Sequence, residues 1–129
     1  MILLDTHIWI WWVSHPDRLQ PIHRELLDRG ADRIFGVSII SCWEVAKLVE
    51  YGRLSLDRSV GIWLETALAE PGITLLNLQP QIVVESTQLP QPLHRDPADR
   101  LLVATARVLH CPIMTEDRKI AEYPHVRVA

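Results

Sequence analysis

Cysteine is scarce in this chain of 129 residues: Cys42 and Cys111 stand alone, with no CxxC spacing. That excludes a zinc ribbon and a disulfide-dense scaffold, and the expected state is a reduced, buried pair. Long hydrophobic runs are missing as well. The longest are Met1–Leu4, Ile8–Val13 and Leu101–Ala106, all far short of the roughly 20 apolar residues that cross a bilayer. The opening lacks the pattern of a secretory leader, because Asp5 and His7 interrupt it before any basic stretch. The expectation is a cytoplasmic protein without membrane contact. There is no excess of positive charge: 13 Lys and Arg face 16 Asp and Glu, a net charge of −3. This argues against a broad basic surface for nucleic acid. It leaves room for an enzyme that gathers acids at a metal site and keeps a few basic residues at its rim. Six histidines are dispersed and form no HExxH pair. No repeat, charge block or low-complexity linker divides the chain.

What is present describes one ordinary globular domain over residues 1–129: 48% hydrophobic and 22% charged residues. Met1–Leu4 is a continuous apolar run, as expected of a strand covered on both faces. Thr6 is placed to cap a short helix through Trp9, Trp11 and Trp12 that ends at Pro16. Pro21 to about Arg29 reads as a helix stopped by Gly30, and Arg33–Val37 as a second strand. Ile40, Trp43, Ala46 and Val49 have helical spacing between about Ile39 and Tyr51, with Gly52 as a C′ residue. Another helix spans Ser59 to about Ala69. Ile73–Leu76 reads as a strand and Pro80 to about Gln88 as a helix entered through proline. Asp96 is a fitting N-cap with Pro97 at N1, and Leu101, Val103, Ala104 and Val108 supply that helix's buried side. Cys111–Thr115 reads as a fourth strand, Asp117–Glu122 as a helical turn and Val126–Val128 as an edge strand. Strands alternating with helices predict right-handed crossovers and a parallel sheet between helical layers.

Sites in such sheets form beyond the carboxyl ends of the strands, where strand order reverses. Asp5 directly follows the first strand, and Asp117 comes two residues after Thr115. Glu44 and Asp99 fall in the first turns of two predicted helices and can point over the same edge. Two carboxylates about 4 Å apart repel by roughly 4 kcal/mol at an effective dielectric near 20. A converging set therefore calls for a cation. Hard oxygen donors select Mg²⁺ or Mn²⁺, which suits phosphodiester hydrolysis.

Each acid also has a purely structural explanation. Ser41-Cys-Trp-Glu44 has capping-box spacing, which would tie Glu44 to its own helix end; a cap at Ser38 would free it. Asp96 is better explained as a cap than as a ligand. Asp99 at N3 suits the helix dipole whatever else it does, and Asp117 fits a turn or cap. Asp5 is the hardest to explain structurally. Of the histidines, His94 is notable because it adjoins the acidic segment. The Trp9, Trp11 and Trp12 group reads as core or interface more readily than as a base-stacking platform. Lys47, Arg53 and Arg100 are candidate contacts for phosphate, with a solvated face as the alternative for Lys47 and Arg53.

At these residues the sequence resembles the PIN-domain ribonucleases, in particular the toxins of VapC-type toxin–antitoxin pairs. Met-Ile-Leu-Leu-Asp5-Thr6-His7 is similar to the family's strand-one aspartate motif, and Ser-Cys-Trp-Glu44-Val-Ala-Lys47 to its helical glutamate motif. His94-Arg-Asp96-Pro-Ala-Asp99-Arg-Leu-Leu-Val-Ala-Thr-Ala106 is similar to the third motif, and Met-Thr115-Glu-Asp117 to the last. The likeness runs in order from Met1 to the carboxyl-terminal Tyr-Pro-His-Val-Arg-Val segment. It implies a three-layer α/β/α fold with a central, mainly parallel sheet of four to five short strands. It also implies Mg²⁺- or Mn²⁺-dependent cleavage of single-stranded regions of RNA. Asp5, Glu44, Asp99 and Asp117 would be the metal-binding acids, supported by Thr115, Thr6 and Asp96, with Asp99 preferred over Asp96 as the ligand. The implied partners are RNA, a small cognate antitoxin and a second copy of the chain. Two rivals remain on the sequence alone. A phosphotransferring aspartyl enzyme is disfavoured, because Asp5-Thr6-His7 lacks the Asp-x-Asp pattern. A non-catalytic acidic module that binds a basic partner is the other.

Overall fold

Alternation of side chains along three-residue β1 (Ile2–Leu4) divides the molecule into layers. Leu3 faces one apolar cluster, while Ile2 and Leu4 face another. The computed structural model describes residues 1–29, 32–90 and 93–129. Its elements are β1, α1 (Thr6–Ser14), a 3₁₀ turn at Pro16–Arg18, α2 (Pro21–Asp28), β2 (Phe35–Ser38), α3 (Ile39–Glu50), α4 (Val60–Leu68), β3 (Ile73–Leu76), α5 (Pro80–Thr87), α6 (Pro97–Val108), β4 (Ile113–Met114) and α7 (Arg118–Ala121). Residues of α1 to α4 pack with Ile2, Leu4, Val37 and Met114, and residues of α5 to α7 pack with Leu3 and Ile113. The result is the expected α/β/α sandwich. Among the described residues, no helix is long and apolar enough to cross a membrane.

The sheet is parallel throughout, in the order β3-β2-β1-β4. The chain builds outward from β1 to β3, then returns to lay β4 on β1's other side. Strand order therefore reverses between β1 and β4, and their carboxyl ends flank the crevice where such sheets place ligands. The expected last strand, Val126–Val128, is reduced to one bridge between Val128 and Ile113. The second strand is shifted from Arg33–Val37 to Phe35–Ser38, because Ser38 remains extended as the N-cap of α3. Gly30, the expected stop of α2, lies outside the described residues. Gly52 closes α3 as expected, with φ +69° and its N–H on Val49 O.

Candidate active site

Asp5 leaves β1 and enters α1 at once. The structure corrects the expected cap: Asp5, not Thr6, is the N-cap, and its Oδ1 accepts from Thr6 N at 2.8 Å. Thr6 is already helical, which turns its hydroxyl toward α3. That hydroxyl bonds Glu44 Oε1 and lies 2.8 Å from Ser41 Oγ. A hydroxyl has a single proton, so with Glu44 ionised Thr6 donates to the carboxylate and accepts from Ser41. Ser41 is fully buried. The Ser-x-x-Glu spacing pointed to it only as a rival cap, and nothing in the sequence marked it as a support.

The ambiguity at Glu44 is resolved at Ser38, whose side chain accepts from Ile40 N at 3.1 Å. With Ser38 as the cap, Glu44 is the sixth residue of α3 and lies in its second turn, not the first. It is outside the capping box and free to face Asp5. Burial, offset in part by the Thr6 bond and reinforced by the charges of Asp5, Asp99 and Asp96, pushes its carboxyl up to about 7.

β4 delivers Thr115 opposite Asp5. Thr115 Oγ1 donates to Asp5 Oδ2 at 2.7 Å and accepts from Asp117 N at 2.9 Å, so one buried hydroxyl joins two acids. Asp117 also caps α7, its Oδ1 accepting from Lys119 N at 2.9 Å. The cap and the site readings of Asp117 are therefore compatible. Its neighbour Glu116 turns elsewhere and accepts from Gln20 N at 3.3 Å.

α6 ends shortly before β4 begins, so its amino end returns to the carboxyl edge of the sheet and carries Asp96 and Asp99 there. Asp96 is exposed and spends Oδ1 on Asp99 N at 3.1 Å, the cap the sequence predicted. Asp99 is more enclosed, with 16% of its side chain exposed, and its Oδ2 meets His94 Nε2 at 2.7 Å.

The acids act on one another through their charges. Burial raises the Asp5 carboxyl, opposed by bonds from Thr115 and Thr6 and by His7, and Asp117 adds to the rise. Burial also raises Asp99, opposed by His94, with Asp96, Asp5 and Asp117 adding to the rise. Among the described residues, no three His, Cys, Asp or Glu side chains are already drawn into metal-ligating range of one another. Thr6, His94 and the α7 cap each hold one carboxylate in its own place. Unspent oxygens remain on Glu44, Asp99 and Asp117. A set of hard carboxylate oxygens under mutual repulsion fits a small divalent cation.

The basic candidates fare less evenly. Lys47 Nζ pairs with Glu50 Oε1 at 2.7 Å and sits 4.6 Å from the Tyr51 ring centroid, while Arg53 is exposed. Arg100 is tied to the protein itself: its guanidinium binds the backbone carbonyls of Ser86, Leu93 and His94. Trp9 is buried against Trp63, and Trp12 packs on Phe35, as a core reading requires. Both cysteines are free and buried. A cleft of about 630 Å³ lies by Arg107, His110 and Arg127, near the start of β4. That is the opposite sheet edge, and none of the four acids lines it.

The PIN domain family profile matches residues 2–126. Ribonuclease VapC22 of Mycobacterium tuberculosis is 34% identical over 126 residues, covering 98% of this chain and 94% of that protein. Among solved structures, VapBC2 from Rickettsia felis, bound to a DNA fragment from its promoter, is 19% identical with a TM-score of 0.71. It covers 100% of this chain and 98% of that one. A toxin–antitoxin complex from Klebsiella pneumoniae is 21% identical with a TM-score of 0.67, covering 98% and 95%. FitAcB from Neisseria gonorrhoeae is 23% identical with a TM-score of 0.63, covering 99% and 96%. The profile match over nearly the whole chain and the 34% identity to a ribonuclease of similar length agree: the chain belongs to the PIN-domain family.

Proposed function

We propose that the protein is a divalent-metal-dependent endoribonuclease that cuts single-stranded regions of RNA and serves as the toxin of a toxin–antitoxin pair. The observation that supports the chemistry is that Asp5, Glu44, Asp99 and Asp117 lie toward the sheet edge where strand order reverses, and that burial raises the first three, with the charges of neighbouring acids adding to each rise. The ribonuclease from M. tuberculosis supports the substrate class, and the toxin–antitoxin complex from K. pneumoniae supports the biological role.

Asp5, Glu44, Asp99 and Asp117 would hold Mg²⁺ or Mn²⁺. When bound, the cation neutralises phosphate charge and lowers the pKa of an attacking water. Thr115 keeps Asp5 and the Asp117 backbone in register. Thr6 and Ser41 fix Glu44, whose carboxyl near 7 must lose its proton to become a ligand. Water adds to phosphorus as the bond to the 3′ oxygen breaks. That oxygen takes up a proton, leaving a 5′-phosphate and a 3′-hydroxyl. An antitoxin would close the cleft with a basic side chain, since an arginine fork neutralises paired carboxylates well.

Incubation of single-stranded RNA with the protein, with and without Mg²⁺, tests the proposal beside the variant Asp5→Asn. Cleavage should require both the cation and Asp5. Equal cleavage by the variant would refute the mechanism. Metal binding without cleavage of any RNA would favour the acidic binding-module alternative.

A further inference from the structure

Arg100 follows Asp99 on α6, yet its guanidinium is spent inside the protein. Nε donates to Ser86 O at 3.0 Å, and Nη1 reaches Leu93 O at 3.3 Å and His94 O at 3.4 Å. Ser86 lies in the last turn of α5, whose final carbonyls have no helical partner. One planar fork thus ties the end of α5 to the segment at Leu93 and His94, which has no regular structure of its own. His94 is only partly enclosed, with 25% of its side chain exposed, and its Nε2 lies 2.7 Å from Asp99 Oδ2. An ionised carboxylate only accepts, so Nε2 carries the proton and donates it. This bond restrains the Asp99 carboxyl and leaves its Oδ1 for a ligand.

We infer that Arg100 is a positioning residue: by gripping the backbone at Leu93 and His94 it aims the imidazole that orients Asp99 in the metal site. This rests on the reading of Asp99 as a cation ligand given above. The geometry is that of the outer partners of metal ligands, which fix a ligand's rotamer without touching the ion. Lysine cannot replace the grip, because its single ammonium lacks the fork that reaches carbonyls on two different segments.

Charge and position predict opposite signs. Deleting a cationic side chain next to Asp99 in the chain would by Coulomb's law tighten divalent-metal binding. Losing the aim of Asp99 weakens it.

Calorimetric titration of the full chain with Mn²⁺ separates the two. Arg100→Ala should bind about 10–100-fold more weakly than the unmodified chain. Arg100→Lys should fall in the same direction although its charge is kept, and His94→Ala should match Arg100→Ala. The double variant should be no weaker than either single one, since both act through one bond. Thermal melting checks that each variant is folded. If Arg100→Ala is not, Arg100→Lys and His94→Ala carry the test. Unchanged or tighter binding in folded Arg100→Lys and His94→Ala would overturn the inference, as would additive losses in the double variant. A raised KM for RNA with unchanged Mn²⁺ affinity, restored by lysine, would return Arg100 to the substrate. An unmodified chain that bound no Mn²⁺ would defeat the metal reading itself, and this inference with it.

Discussion

Asp5 is held at both oxygens, by Thr6 N and by Thr115 Oγ1, and is almost fully buried at 6% exposure. Holding a carboxylate there without a cation is unfavourable, so the site gives up stability for function. Asp5→Asn should therefore leave melting unchanged or raise it, while weakening Mn²⁺ binding by at least about 100-fold, since even an outer partner is worth 10–100-fold. Melting curves and calorimetry on one preparation check both. Thr115→Val removes the hydroxyl that joins Asp5 to the Asp117 backbone. It should destabilise the fold by about 1–3 kcal/mol in denaturant unfolding, because it strands a buried acceptor. Asp5, Asp117 and the Asp96 cap were legible in the sequence because they adjoin elements with strong local signals. Ser41 and the role of Arg100 were not, because each depends on a partner far along the chain: Ser41 meets Thr6, and Arg100 meets the end of α5.

At the scale of elements, α3 shows how a cap decides a site. With Ser38 as the N-cap, Glu44 falls on the side of the helix that faces Thr6, and a start three residues later would return it to the capping box. Ser38→Ala should cost about 1 kcal/mol by denaturant unfolding and lower RNA cleavage more than Mn²⁺-independent properties such as far-ultraviolet dichroism. Helix positions were legible from periodicity and from proline at N1 in α2, α5 and α6. Strand bounds were less so. Ser38 reads as a helix cap locally but also pairs with Leu76 in the sheet, and Val126–Val128 has strand composition but only one bridge to Ile113. Pairing across the sheet sets those limits, and composition does not record it.

Across the whole molecule, the reversal of strand order between β1 and β4 brings four acids from four parts of the chain to one edge. That assembly makes the fold sensitive to pH. For Glu44 the folded carboxyl, near 7, lies above its ordinary 4.5. Between those values the folded state binds more protons than the unfolded one, so stability falls as pH rises through this window. Without divalent metal, the melting temperature should be lower at pH 8 than at pH 5. Saturating Mn²⁺ should remove or reverse the difference, because binding requires the deprotonated acids and releases their protons. The topology was legible as a parallel α/β/α sheet from alternating elements, but its order required the closed fold. Whether these acids form one cation site is decided by electron paramagnetic resonance of Mn²⁺ with the unmodified chain and with Asp5→Asn, Glu44→Gln, Asp99→Asn and Asp117→Asn. If they do form one site, the unmodified chain depletes the free-ion signal and each variant restores much of it. Equal depletion by all five proteins would contradict it.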